Sequence, residues 1–218
     1  MNEGKMRLVA IYAGSVRTLA PSGEPTGIYK LPIEMANVGA LGIEGDVQVD
    51  KRYHGGPDKA LHQYAEVNYA RIAAAFPVLD GLAVPGSIGE NLTIPGMAED
   101  SVCIGDVYRI GEVVVQVSEP RQPCWKINAK YGVEGLTEFI QDQGIAGWYY
   151  RVLEAGRIQV GESVTLQERY NEGVTITQAN RVIHRQTENA ASVDRLIAAC
   201  GIAEGLKNRL IKRREDHD

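Results

Sequence analysis

The run Val113-Val114-Val115-Gln116-Val117-Ser118-Glu119-Pro120-Arg121-Gln122-Pro123-Cys124-Trp125-Lys126 decides how the chain is read. Its first five residues are almost all β-branched, which suits a strand. Proline lacks an amide donor and fixes φ, so the strand must stop near Pro120. A second proline stiffens the exit, which presents Cys124 between Arg121 and Lys126. Nearby cations favour a thiolate, the form that attacks carbon or sulfur and binds metals. The other reading of Cys124 is a small buried hydrophobe.

Working outwards, Gly111-Glu112 forms a tight turn that pairs residues 113–117 with a strand inside 102–110. Residues 6–12, 27–33, 47–53, 60–64, 147–153 and 163–168 also read as strands. The glycine-rich stretch 38–46 reads as a bent hairpin with Gly42-Ile43-Glu44-Gly45-Asp46 at its tip. Ile104-Gly105-Asp106-Val107 is echoed by Val160-Gly161-Glu162-Ser163-Val164, as in a barrel whose strands bend at glycine. Helical periodicity appears at 66–76, ended by Pro77, and at 133–143, with Leu136, Phe139 and Ile140 as its stripe.

After Arg169 the pattern becomes helical. Thr175-Ile176-Thr177-Gln178 matches a capping box. A second helix starts at Asn189 or Ser192 and is closed by Gly201. A third covers 204–214. The expected fold is therefore mainly β: a β-barrel domain with inserted helices over 1–170, followed by a small three-helix segment over 171–218. That segment is too short to stand alone and docks on the barrel or on a partner chain, so a homodimer is carried as an expectation.

The chain has 218 residues, 44% hydrophobic and 23% charged. These values match an ordinary globular protein with a core of its own. Three cysteines without a C-x-x-C pair indicate neither a disulfide framework nor a zinc site. The net charge of −5 argues against a nucleic-acid-binding surface. There is no apolar run long enough for a membrane span and no signal-peptide pattern at the N-terminus, so a cytoplasmic location is expected. Cys103 and Cys200, in apolar runs, read as core. Trp125 and Trp148 read as packing or as pocket walls.

The polar candidates each have two readings. His54, in His54-Gly55-Gly56-Pro57-Asp58, is structural or handles a proton. Its charged form is disfavoured beside Arg52. Asp58 caps the turn or orients His54. Glu90-Asn91 marks the approach to a strand or reaches a ligand. No phosphate-binding Gly-Lys-Ser loop, dinucleotide fingerprint or iron–sulfur spacing is present.

In order along the chain, His54-Gly55-Gly56-Pro57-Asp58-Lys59-Ala60-Leu61, Gly89-Glu90-Asn91-Leu92, Ile104-Gly105-Asp106 and Glu119-Pro120-Arg121-Gln122-Pro123-Cys124-Trp125-Lys126 together resemble the MOSC-domain family. The family takes its name from the C-terminal domain of molybdenum-cofactor sulfurase. The likeness spans nearly the whole chain and is nearest to the stand-alone YiiM-like branch, linked to reduction of 6-N-hydroxylaminopurine and in which three helices follow the β domain.

The resemblance implies a molybdenum cofactor, a pyranopterin with a dithiolene and a phosphate, and places Cys124 as the metal ligand. A soft thiolate suits such a centre. Arg121 and Lys126, with Arg17, Lys51 and Arg52, are candidates for the phosphate. His54, Asp58, Glu90 and Asn91 match positions that line or shape the cleft, and His54 is the candidate proton donor. The implied activity is reduction of a small N-hydroxylated substrate, with electrons from an external flavoprotein or iron–sulfur reductase. The alternatives are a sulfur carrier with a Cys124 persulfide, a non-catalytic cofactor-transfer module, and a thiol hydrolase using Cys124 and His54.

Overall fold

The computed structural model describes residues 6–20, 22–50, 54–187 and 189–216. Its centre is the β-branched run, which forms β10 (Val113–Pro120) and is buried at every position. β9 (Val107–Ile110) meets it antiparallel across Gly111-Glu112, with Val113 opposite Ile110. Gly111 takes φ 56°, a left-handed conformation suited to a two-residue hairpin turn.

β11 (Trp148–Glu154) pairs with the other edge of β10, and β13 (Val164–Glu168) pairs with β9. Beyond β11 lie β7 (Leu61–Gln63), β8 (Leu92–Thr93), β1 (Ala10–Ala13) and β4 (Leu31–Ile33). The eight-stranded order is β13-β9-β10-β11-β7-β8-β1-β4. The β7–β8 pair is parallel and the others antiparallel. Leu8 N donates to Glu162 O, and Val164 N to Met6 O. These bonds draw the segment before β1 against the segment before β13, curling the sheet into a barrel-like half-shell.

β5 (Met35–Gly39), β6 (Gly42–Ile43) and β12 (Gly156–Gln159) form a smaller sheet, and β2 (Arg17–Thr18) pairs with β3 (Pro25–Thr26). The β5–β6 hairpin turns at Ala40-Leu41, because Gly39 pairs with Gly42. The expected tip at Gly42 is thus displaced. Gly42 has φ 106° and lies close against Ala60, so it is needed inside the hairpin. The alternating stretch 47–53 forms no strand over 47–50, and its last three residues lie outside the described ones. Val47 N donates to Gly14 O just past β1, but this single bond does not extend into a ladder, so the stretch stays as loop.

Three helices, rather than two, are inserted: α1 (Val67–Ala75), α2 (Lys126–Tyr131) and α3 (Leu136–Asp142). They share a side cluster that includes Tyr64, Ile72, Ile127, Leu136 and Ile140. α4 (Ile176–Ile183), α5 (Ala190–Ile197) and α6 (Glu204–Glu215) follow the sheet. Thr175 caps α4 by accepting from Gln178 N at 3.1 Å, and Asn189 caps α5.

The apolar faces of these last helices, including Ile176, Val182, Leu196, Leu206 and Leu210, belong to the same core as Val115, Val117, Trp148 and Tyr150. Each such burial stabilises by about 1.5–3 kcal/mol, which docks the helices on the sheet. Cys103 is buried as expected, but Cys200 is exposed. Cys200 lies just past the end of α5, in a turn held by Asn171. Among the described residues no helix is long and apolar enough to cross a membrane.

Candidate active site

The site begins with a break in the β10–β11 ladder. Val117 pairs with Tyr150, but the next pair is Glu119 with Tyr149, leaving Ser118 as an extra residue. Such a bulge re-aims a strand and ends regular pairing. Pairing ceases at Pro120 opposite Trp148. The chain then leaves as the loop 121–125 and enters α2.

This exit loop borders a cleft of about 900 Å³, within the size range of small-molecule sites. Glu119, Arg121, Gln122, Cys124, Trp125 and Lys126 form one side. Lys30, residues 47–50, His54, Lys59, His62, Gly89, Asn91 and Tyr149 complete most of the rest. Ile183 of α4 and Arg209 of α6 also reach it. Trp125, 48% exposed, stands at the rim, whereas Trp148 is core.

Cys124 is half-buried in this wall. Arg121 is only 6% exposed, and its Nη1 has no hydrogen-bond partner among the described residues. Its Nη2 donates to Ile88 O at 3.4 Å. Gln122 Nε2 is likewise buried without a partner. Two adjacent unsatisfied donors, one of them charged, are costly unless a ligand supplies acceptors.

Behind them, His54 Nδ1 lies 3.1 Å from the Tyr149 hydroxyl. Burial, and after it Arg121 and Lys59, push the His54 imidazole down to about 4. Burial holds the Tyr149 phenol above its usual range, with Arg121 as the main counterweight. Glu119 sits between Lys59 Nζ and Arg209 Nη2, each 3.6 Å from one of its oxygens. Burial raises its carboxyl against the pull of those cations.

The residues singled out in the sequence separate into groups. Cys124, Arg121, Lys126, His54 and Asn91 share the cleft. Lys126 is also tied down, donating to Pro25 O at 2.8 Å with Glu24 at 4.0 Å. Asn91 connects walls rather than standing free: it accepts from His62 N and donates to Tyr12 O and Asp46.

Asp58 and Glu90 do not line the cleft. Asp58 pairs with Arg151 at 2.7 Å and accepts from Glu204 N at 3.3 Å, placing the start of α6. Glu90 is fully buried and accepts from the Tyr69 hydroxyl, Gly86 N and Ile88 N, which fixes the loop ahead of β8. Arg17 is exposed on β2 and does not line the cleft, although its strand partner Thr26 does. Arg52 and Lys51 lie outside the described residues.

Several cleft residues escaped the sequence reading. Lys30 is ion-paired with Asp46, both side chains nearly buried, and Asp46 also accepts from Gly14 N and Asn91 Nδ2. Nothing local links Lys30 to Asp46. Tyr149 carried a weak signal: in the alternation Trp148-Tyr149-Tyr150 it points away from its two core neighbours. Glu119 lies just ahead of Pro120, and its ties to Lys59 and Arg209 leave no local mark in the chain.

Among the described residues no group of three or more His, Cys, Asp or Glu could hold a metal ion. Cys124 is the one sulfur donor among the described residues that line the cleft, which suits a group that brings most of its own ligands. Arg121 Nη1 and Gln122 Nε2 offer the donors that an oxygen-rich cofactor requires.

A model of the MOSC domain matches residues 50–165. The Bacillus subtilis (strain 168) protein YflK is 35% identical over 218 residues, covering 99% of this chain and 97% of that protein. The Escherichia coli (strain K12) protein YiiM is 33% identical over 207 residues, covering 94% of this chain and 92% of that one. The crystal structure of Escherichia coli YiiM superimposes with a TM-score of 0.82 at 28% identity, over 98% of this chain and 94% of that chain. A protein named reductase from Gibberella moniliformis (strain M3125 / FGSC 7600) is 36% identical over 179 residues, which are 81% of this chain and 32% of that protein.

Proposed function

The chain belongs to the MOSC-domain family, in its stand-alone YiiM-like branch, and on that premise we propose that it binds a molybdenum cofactor through Cys124 and reduces small N-hydroxylated compounds, bases among them. The observation that carries the reading is the buried, unsatisfied Arg121 Nη1 in the same cleft wall as Cys124. A buried guanidinium with one nitrogen left without an acceptor suits a phosphate or another oxygen-rich ligand. The name of the Gibberella moniliformis relative is consistent with redox chemistry.

Cys124 would hold the metal, and Arg121 and Gln122 would donate to the cofactor's oxygens. When bound, the cofactor supplies two-electron redox chemistry that no side chain here can perform. The protein's share is to bind, to orient and to keep water away from the reacting oxygen. Trp125 and Lys126 border the opening, Lys126 Nζ standing 5.9 Å from the Trp125 ring centroid. Electrons come from an external flavoprotein or iron–sulfur reductase.

The test is expression in a host that makes the cofactor, followed by elemental analysis and an N-hydroxylaminopurine reduction assay. Wild type should contain molybdenum and turn over; Cys124→Ser should lose both. Full activity in that variant overturns the assignment. A labile extra sulfur on Cys124, with no molybdenum bound, would replace it with the sulfur-carrier reading.

A further inference from the structure

We propose that Tyr149 is the acid that protonates the oxygen released from the N-hydroxylated substrate, with His54 behind it as the relay that restores its proton. This rests on the reductase reading above. The Tyr149 hydroxyl lies 3.1 Å from His54 Nδ1 and faces the cleft that also holds Cys124. Its ring is held between the His62 ring, 5.5 Å away, and Lys59 Nζ, 5.8 Å from its centroid. A phenolate formed there would face the cations of Lys59 and Arg121.

Protonation states agree with the geometry. Burial keeps Tyr149 a phenol against the opposing pull of Arg121, while the charge of Glu119 pushes the same way as burial. His54 is a poor direct acid, because burial, Arg121, Lys59 and Lys126 together outweigh Asp50 and hold it at about 4. As a neutral imidazole carrying its hydrogen on Nδ1, it donates to the Tyr149 oxygen. The phenol hydrogen is then free to point at a substrate.

The overall change is R–NH–OH plus two electrons and two protons giving R–NH2 and water. The electrons come from the external flavin- or iron–sulfur-dependent reductase and enter at nitrogen as the N–O bond breaks. The oxygen leaves with the bonding pair and takes the Tyr149 proton, completing water. The phenolate recovers a proton from His54 Nδ1, while His54 Nε2 takes one from solvent. The second proton reaches nitrogen from water, and exchange with solvent resets the His54 tautomer.

The test is Tyr149→Phe, which deletes only the hydroxyl, assayed on N-hydroxylaminopurine and on its O-acetyl derivative. Acetate leaves without needing a proton. Turnover of the hydroxyl substrate should fall about 10²–10⁴-fold, the usual reach of general acid catalysis, with KM and molybdenum content unchanged. Turnover of the O-acetyl substrate should fall far less. Nitrogen-15 NMR of the purified protein should show the hydrogen-bonded His54 Nδ1 signal in wild type and its loss in Tyr149→Phe. His54→Gln keeps a donor for Tyr149 but cannot relay, so it should lower kcat at unchanged KM and serves if Tyr149→Phe does not fold. Equal losses on both substrates, no loss on either, or wild-type kcat in His54→Gln overturns the proposal. If wild type reduces no N-hydroxylated compound, the reductase reading falls and takes this proposal with it. An active wild type with an unimpaired Tyr149→Phe removes the proposal alone.

Discussion

Arg209 Nη2, on the last helix, stands 3.6 Å from Glu119 Oε2 at the end of the central strand. That contact makes α6 a wall of the cleft. The helix is set there by its first residues: Glu204 N donates to Asp58, Ala203 N to Ser118 O at 2.8 Å, and Arg151 Nη2 to Ile202 O at 3.5 Å. The turn that carries Asp58 and the bulge at Ser118 therefore determine where Arg209 reaches.

Arg209→Ala should alter the cleft more than the fold. Arg209 is 62% exposed, and the buried Glu119 keeps Lys59 as a second cation, so the loss should stay at about 1 kcal/mol. Thermal unfolding should barely move, while KM for substrate changes. A large drop in Tm with an unchanged KM would contradict the placement of α6 in the cleft wall.

Asp46→Ala should be severe. It leaves the Lys30 ammonium buried without its counter-charge and strips Gly14 N and Asn91 of an acceptor. Burial already pulls the Lys30 amine below its usual range, with Asp46 opposing that shift. Breaking such a pair costs about 3–5 kcal/mol, readable by urea denaturation. The double change Lys30→Met with Asp46→Leu should recover only the part owed to the unpaired charge, because Gly14 N and Asn91 still lack their acceptor.

His54 should remain neutral well below its ordinary midpoint of 6.5, protonating only near pH 4. Between those values the unfolded chain binds a proton that the folded chain refuses. Stability is therefore lost as pH falls from 6.5 through 4, and the loss is complete below both midpoints. His54→Gln removes this dependence, so its stability relative to wild type should rise across that window. An NMR titration midpoint near 6.5 would refute the buried, cation-flanked setting.

Gly42→Ala should disturb the wall that carries Lys59. The residue has φ 106°, and a Cβ there would meet Ala60 O at 2.1 Å. Such strain costs on the order of 1–3 kcal/mol. Gly39→Ala, its neighbour across the hairpin, meets nothing within 4 Å and should stay within about 0.5 kcal/mol of wild type. Equal effects of the two on urea unfolding would rule out the close approach.

Parts of this molecule are legible in the chain because the forces that set them are local. The β-branched run 113–117 cannot sit comfortably in a helix, Pro120 and Pro123 cannot continue a ladder, and Gly111 admits the turn before the run. Thr175 and Asn189 announce helix starts because a side-chain oxygen caps amides two or three residues on. Where the chain alternates without entering a ladder, as at 47–50, the same kind of reading fails. Glu90 shows a different limit: its motif position is visible, but its engagement by Tyr69, Gly86 and Ile88 is not.

What the sequence determined by itself was the mainly β class, the three helices after the sheet, the family likeness, and the short motif that keeps Cys124 close to Arg121. Each of these is written in short stretches by covalent stiffness, periodicity or motif. Only the tertiary structure decided that Lys30 faces Asp46, that Tyr149 meets His54, that Asp58 serves α6 rather than a ligand, and that Arg209 reaches Glu119. Those relationships join residues from 16 to 146 positions apart. Long-range pairing depends on which surfaces the curled sheet and docked helices bring together, and no local propensity encodes that.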